Sequence, residues 1–243
     1  MRPATGPVPA RYRGLWRRTL LQAGSLRDTT STVYWLQTAY WHADIRIPAG
    51  RPSFEGVTSL TQCNPAQRRF LATQQGFYGI TEVDTSGPQD ICRWHRLADF
   101  QPPAFTPDAG ALRLEGSLLV ESGLHEDYLE HWERLSGSEQ ATAVLAENAA
   151  SGALLLRAGS WAMHVLPRTV SLPNGLAAGV SLEAAMAAGG VDETALLHFE
   201  ISLLRITDIG WIKLHSTLPW LEGRIMMPTA TEPINTARSY KFP

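Results

Sequence analysis

The sequence predicts an all-β protein built as an antiparallel β-barrel with two short helices. Roughly ten or more short extended segments follow one another at close spacing, and only two segments carry the capping residues typical of a helix. This order favours a barrel or sandwich over alternating strands and helices. A closed barrel would also remove exposed sheet edges. The pattern leaves open whether one barrel forms, or two packed barrels or half-barrels.

The predicted strands are rich in aromatic and β-branched residues and are separated by turn residues. They span residues 14–21, 32–48, 77–83, 90–97, 111–121, 128–135, 141–147, 153–157, 161–166, 195–207 and 210–217. The segment 32–48 is the most strongly patterned. Its length indicates a bent strand or two strands that meet at a bulge, and Pro48 ends the ladder.

The two predicted helices are recognised by their ends. The first spans residues 65–76, with Asn64 as N-cap, Pro65 in the first turn and Gly76 as the C-terminal stop. The second spans residues 181–188 and is ended by two glycines.

The predicted elements divide the chain into four regions at its loops. These regions are a disordered lead over residues 1–10, an N-terminal barrel or half-barrel over 11–103, a C-terminal barrel or half-barrel over 104–218, and an extended tail over 219–243.

Composition excludes several classes of function. The 243 residues carry a net charge of −2 with basic and acidic residues mixed, so neither nucleic acid nor an anionic membrane is an expected partner. No stretch reaches the apolar length of a membrane span, and a cytoplasmic protein is expected. Cys63 and Cys92 are expected to be free thiols. Nucleotide-binding loops and zinc-protease or hydrolase motifs are absent, so no cofactor is expected.

Side chains of the segment 32–48 alternate between two faces. His42, Asp44 and Arg46 share one face, opposite an apolar stripe that includes Ile45 and Ile47. We expect this polar stripe to face solvent. The functional alternative places it inside a barrel, where His42 and Asp44 would be acid–base groups and Arg46 would hold an anion.

Two further stripes supply candidate site residues. Trp35 and Gln37 share a face and would give a cavity an apolar wall and one directional hydrogen bond, while Tyr34 lies on the opposite face. The second stripe holds Tyr128, Glu130, Trp132 and Arg134. If it points inward, Glu130 is the best carboxylate for general-base chemistry, because burial raises a carboxyl pKa. Core packing and an outward charge set are the alternatives.

A metal site is not expected. His198 and Glu200 alternate along one strand, and His215 on a neighbouring strand is the only speculative third ligand. A structural or catalytic site needs at least three convergent ligands.

Several segments together resemble the HRI1-like proteins, a family with lipocalin-like β-barrels. The resemblance covers about residues 12–217 and is carried by residues 14–18, 28–38, 44–48, 76–79, 94–103, 108–112 and 128–134. It implies a lipocalin-like antiparallel barrel and a ligand cavity. In such barrels a tryptophan of a Gly-x-Trp motif closes the floor beneath an arginine; Trp16 matches the first role and Arg205 is the expected partner. The resemblance implies no catalytic residues.

Three functions follow as hypotheses. The first is binding of a small, largely apolar or aromatic molecule in the barrel cavity, with Tyr34, Trp35, Gln37, Arg46, Tyr128 and Trp132 as ligand contacts. The second is a cofactor-independent isomerase, cyclase, hydratase or lyase that uses His42, Asp44 or Glu130. The third is a protein-interaction module with a solid barrel. A homodimer is left open.

Overall fold

The chain folds into two antiparallel β-sheets, one closed and one open. The structure is a computed structural model and describes residues 6–140, 142–148, 151–172 and 179–227. The closed sheet contains β1 (Gly14–Ala23), β2 (Leu26–Asp28), β3 (Thr32–Gln37), β4 (Trp41–Ile47), β5 (Gln75–Asp84), β6 (Asp90–Asp99), β7 (Ala109–Glu115), β8 (Leu118–Gly123) and β9 (Leu129–Arg134). The open sheet contains β10 (Thr142–Asn148), β11 (Ala153–Ala158), β12 (Trp161–Leu166), β13 (Glu200–Thr207), β14 (Gly210–Ser216) and β15 (Ile225–Met226).

The first sheet is an eight-stranded up-and-down barrel. Strand β1 pairs with β3 at its start and with β9 along most of its length, which closes the ring β1-β3-β4-β5-β6-β7-β8-β9. Strand β2 is a short hairpin partner added to the end of β1. The predicted all-β antiparallel barrel is therefore confirmed.

One closed barrel and one open sheet replace the two barrels or half-barrels that the sequence left open. The open sheet runs in the order β10-β11-β12-β13-β14-β15. The domain division expected between residues 103 and 104 falls between β6 and β7, which are paired neighbours in the barrel. The structure instead changes from barrel to open sheet between β9 and β10.

Three α-helices are present in the described part of the chain, namely α1 (Pro65–Thr73), α2 (Leu182–Ala187) and α3 (Glu193–Leu197). The predicted cap of α1 is confirmed. The Asn64 side chain accepts a hydrogen bond from the Gln67 backbone amide, and the Gln67 side chain accepts one from the Asn64 backbone amide. Gly76 does not end this helix. It lies in β5, where a Cβ would meet the Asp44 carbonyl and an Ile201 methyl at 2.6 Å. None of these helices is long and apolar enough to cross a membrane.

The residues expected to form loose ends are partly built into the fold. Val8 lies 1% exposed in the barrel's inner core, and its amide donates to the Ala39 carbonyl at 2.8 Å. At the other end, β15 (Ile225–Met226) pairs with β14 in the open sheet, and a 3₁₀ turn (Pro219–Leu221) lies between these two strands. Residues 1–5 and 228–243 of the predicted lead and tail lie outside the described residues.

The open sheet packs on the outside of the barrel, and this packing determines which side chains of β4 face the barrel interior. The apolar stripe of β4, which includes Ala43 and Ile45, is buried in one core with Leu156, Met163 and Ile201 of the open sheet. The opposite stripe of β4 then faces the barrel interior. The expectation of a solvated stripe at His42, Asp44 and Arg46 is wrong, because both faces of this strand are covered.

Candidate functional site

The barrel interior holds a cavity of about 710 Å³ that opens at one end. This volume lies in the range of small-molecule sites. Its mouth is formed by the end of β1, the loop between β6 and β7, and the loop between β8 and β9. The interior is therefore not solid, as the interaction-module hypothesis would require.

The opposite end of the barrel is closed by the segment that precedes β1. The Trp16 indole is 1% exposed, and its Nε1 donates to the Tyr12 carbonyl at 2.8 Å. The Arg134 guanidinium, from β9, lies 4.5 Å from the centre of the Trp16 ring. Trp16 thus closes the floor as expected, but its partner is Arg134 and not Arg205. Arg205 belongs to the open sheet and lies over Trp161.

Three tryptophans form the aromatic base of the cavity. Trp35 contacts Trp94 and Trp132 edge to face, with ring centroids 5.7 Å and 5.9 Å apart. All three line the cavity. Such edge-to-face packing stabilises aromatic clusters and fixes ring orientation. The base of the cavity is therefore a preformed apolar surface.

A buried polar chain lies outside this lining. The Thr81 hydroxyl donates to Gln37 Oε1 at 2.7 Å, so the Thr81 oxygen accepts from His42 Nδ1 at 2.9 Å. Gln37 also accepts from the Trp35 indole at 3.2 Å. Burial, and then the nearby charge of Arg96, hold the pKa of His42 well below its usual range. Its Nε2 has no hydrogen-bond partner in the described part of the chain.

His42 and Gln37 therefore do not line the cavity, although both are fully buried. Gln37 instead orients the Trp35 indole by accepting its N–H hydrogen bond from outside the cavity. Tyr34 also lies outside the cavity, because its ring stacks on His215 of the open sheet at 5.5 Å. The other predicted site residues, namely Trp35, Asp44, Arg46, Tyr128, Glu130 and Trp132, all line the cavity.

Asp44 and Glu130 are each bound by an arginine. Arg46 Nε donates to Asp44 Oδ1 at 2.8 Å, and Arg18 Nη1 donates to Glu130 Oε1 at 2.6 Å. Arg46 lies 3.7 Å from the same Glu130 oxygen, and Arg18 also binds Asp28 at 2.9 Å. Burial opposes the charge of Arg46, but the attraction of Asp44 and Glu130 outweighs it and raises the Arg46 pKa well above its usual value.

The second guanidinium of the cavity is also satisfied. Arg96 lies 3.6 Å from the centre of the Phe77 ring. Its Nη1 is 2.6 Å from Asp99 and its Nη2 is 2.7 Å from Asp108. Both lining arginines therefore have carboxylate partners within the protein.

Glu121 is the cavity carboxyl that sequence reasoning missed. It is 4% exposed, and its two oxygens accept from the Tyr128 hydroxyl at 2.8 Å and the Trp132 indole at 3.1 Å. No cationic side chain of the described residues forms an ion pair with it. Burial, and then the charge of Glu130 directly opposite on β9, raise the pKa of Glu121 well above its usual range. This shift favours the protonated, neutral form of Glu121 over a wider pH range than for an exposed glutamate.

Strand register explains why Glu121 was missed. The segment 111–121 reads as a strand, but only the pairing of β8 with β9 places Glu121 opposite Glu130 and Leu119 opposite Trp132. Trp94, Phe77 and Arg96 likewise join the site through the register of β5 and β6 in the closed barrel. Period-two alternation identifies the face of each strand, but it carries no information on which strands are neighbours.

A second polar cluster lies on the open sheet. Glu200 Oε1 accepts from Ser202 at 2.7 Å and from Lys213, and it lies 3.0 Å from His164 Nδ1. Burial would raise the pKa of Glu200, but the hydrogen bond and charge of His164 and those of Lys213 lower it to about 2. In the described residues, no three His, Cys, Asp or Glu side chains are grouped to hold a metal ion.

Comparison with known proteins supports the fold alone. No family model and no curated protein matches the sequence. The structure is similar to that of the uncharacterized protein YLR301w from Saccharomyces cerevisiae, with a TM-score of 0.54 and 13% identity over 84% of each chain. At this identity the likeness is one of architecture.

The raised pKa of Glu121 predicts a specific pH dependence of stability. Above pH ~4.3 the unfolded chain releases this proton while the folded chain keeps it, so stability falls by up to about 1.4 kcal/mol per pH unit until the folded carboxyl ionises. Glu121→Gln keeps a neutral group of the same shape and removes this fall. We expect the variant to gain stability relative to the wild type as the pH rises above about 4.3 in urea unfolding experiments. Parallel pH profiles of the two proteins would contradict the assignment.

Proposed function

We propose that the barrel cavity binds one small, largely apolar molecule on its tryptophan base. The observation that carries this proposal is a cavity of about 710 Å³ above Trp35, Trp94 and Trp132, with one open end and one closed end. Small-molecule sites combine an apolar preformed surface with a few polar groups that fix orientation. Here Glu121, Tyr128 and Arg96 supply those groups.

Indole NMR of ¹⁵N-labelled protein tests the proposal. We expect tert-butylbenzene to shift the indole signals of Trp35, Trp94 and Trp132 in a saturable manner. Ala23→Trp is expected to weaken binding at least tenfold, because Ala23 lines the mouth and a large side chain there would narrow it. Gln22→Trp is the matched control, since Gln22 is exposed and adjacent in the same strand. Shifts that do not saturate, or equal effects of the two variants, would overturn the proposal.

A second candidate is a cofactor-independent acid–base enzyme, and Glu121 is the observation that favours it. A neutral carboxylic acid beside a hydroxyl, both facing one cavity, can donate a proton to a bound molecule. Asp44 and Glu130 are less suited to this role because each is already bound by an arginine. Incubation with small-molecule extracts, followed by mass spectrometry, should show a compound consumed by the wild type and spared by Glu121→Gln. Identical profiles would remove this candidate.

We also propose that the chain is an HRI1-like protein with a lipocalin-like barrel. The up-and-down order of eight strands, the tryptophan near the start of β1 and the arginine that covers it support this assignment. A sequence alignment with members of that family should place glycine and tryptophan at positions 14 and 16 and arginine at 134. Unrelated residues at those positions would contradict it.

A further inference from the structure

We infer that the molecule bound in the barrel is an organic cation, whose charged nitrogen lies against the tryptophan base and beside the Glu121 carboxyl. This inference rests on the proposed ligand-binding function and adds the chemical class of the ligand. It is carried by three features of the cavity wall: its charge balance, the pairing state of its charged groups and its aromatic surface.

The charge balance of the lining favours a positive ligand. The cavity is lined by two arginines and by six carboxyl side chains, namely Asp44, Asp99, Asp108, Glu121, Glu126 and Glu130. Arg18 supplies one further positive charge to Glu130. Acidic groups therefore exceed basic ones around a partly enclosed space even when Glu121 is counted as neutral, and an excess of one sign of charge in a cleft concentrates ligands of the opposite sign.

The pairing of the arginines disfavours an anionic ligand. Arg46 is bound to Asp44 and Arg96 to Asp99 and Asp108, with all three shortest distances at or below 2.8 Å. An anion would have to compete with these carboxylates for the guanidinium N–H groups. Glu121 has the opposite character, because Tyr128 and Trp132 give it hydrogen bonds but no countercharge. A bound cation would supply that missing charge.

The aromatic surface lies next to this carboxyl. Trp132 donates its indole N–H to Glu121 while its ring contacts Trp35, which in turn contacts Trp94. Tryptophan is the aromatic side chain that attracts cations most strongly, and groups of aromatic rings recognise quaternary ammonium ligands. A carboxyl and three indoles around one space form a cage of that kind.

Binding of a cation should release the proton of Glu121. The groups that act on this carboxyl are Glu130 and Asp108, which favour its neutral form, and Arg46 and Tyr128, which favour its charged form. Cys92 is buried nearby, and burial, followed by the charge of Glu121, raises the pKa of its thiol well above the usual value. A fixed positive charge against Glu121 favours ionisation, so one proton leaves the protein when the ligand enters.

The test compares phenyltrimethylammonium with tert-butylbenzene, a pair that differs in one atom and one charge. We expect the cation to bind the wild type at least about tenfold more tightly, a difference within the range of desolvated cation–aromatic contacts. Calorimetry at a series of pH values, in buffers of different ionisation enthalpy, should show proton release on binding of the cation wherever Glu121 is protonated in the free protein, and none for tert-butylbenzene.

Two variants separate this inference from general ligand binding. Glu121→Gln should reduce the preference for the cation to less than about threefold and abolish proton release while tert-butylbenzene still binds, which also shows that the variant is folded. Glu133→Gln makes the same substitution at an exposed position on β9 and should change neither quantity. If the neutral compound binds as tightly as the cation, the inference is overturned and ligand binding stands. If neither compound binds, both proposals fail.

Discussion

Arg18→Met is expected to lower the free energy of unfolding by about 3–5 kcal/mol, because it leaves a buried carboxylate without its closest countercharge. The Arg18 side chain is 7% exposed and joins Glu130 to Asp28 across the barrel wall. Without it, Glu130 retains only the more distant Arg46, at 3.7 Å. Urea unfolding at pH 7 measures the loss.

A double-mutant cycle shows whether the loss comes from this pair. Glu130→Gln should cost at least 1 kcal/mol less in the Arg18→Met background than in the wild type, since the unpaired charge is then absent. Arg17→Met is the matched control, because Arg17 binds Glu133 where both side chains are about half exposed. Its expected cost is below about 1 kcal/mol. Additive effects of the two buried substitutions would contradict the network described for the cavity wall.

Trp16→Ala is expected to lower the free energy of unfolding by about 3–5 kcal/mol, because it removes a fully buried ring from the closed end of the barrel. Trp16 stacks on Trp35 at 6.5 Å, lies beneath Arg134 and donates to the Tyr12 carbonyl. Thermal and urea unfolding measure the effect.

Arg205→Met separates the observed closure from the one that the resemblance implied. Arg205 lies over Trp161 in the open sheet, whereas Arg134 lies over Trp16. Arg134→Met should therefore perturb the closed end of the barrel more than Arg205→Met does. The measurement is the shift of the Trp16 indole NMR signal in each variant. A shift of that signal in Arg205→Met alone would contradict the assignment.

Local features of the fold were accessible from the sequence because they depend on neighbours in the chain. Asn64 and Pro65 mark the start of α1, and alternation identifies the two faces of β4. The segment 32–48 proved to be two strands of a hairpin, in which the Thr38 hydroxyl accepts from the Trp41 amide at 3.0 Å. The sequence predicts that a strand begins at residue 195. In the structure this residue belongs to helix α3, which Asp192 caps by accepting from the Ala195 amide.

The environment of each face could not be derived in the same way. The stripe of His42, Asp44 and Arg46 lies opposite apolar residues, and a single sheet over one core would expose it to water. Packing of the open sheet against Ala43 and Ile45 buries the apolar stripe outside the barrel and leaves the polar stripe inside. That contact joins segments more than one hundred residues apart, which no local pattern contains.

The same reason explains the shift of the candidate acid from Glu130 to Glu121. Both glutamates are buried and line the cavity. The arginine from β1 falls beside Glu130, whereas the neighbours of Glu121 are a tyrosine and a tryptophan. Which glutamate has an arginine beside it therefore depends on the pairing of strands and cannot be read from either strand alone.

A crystal structure of the protein soaked with tert-butylbenzene tests the central claim most directly. We expect electron density for one molecule inside the barrel, in contact with Trp35, Trp94 and Trp132. Side chains that fill this space and leave no room for a guest, or a compound bound only on the outer surface, would contradict the claim.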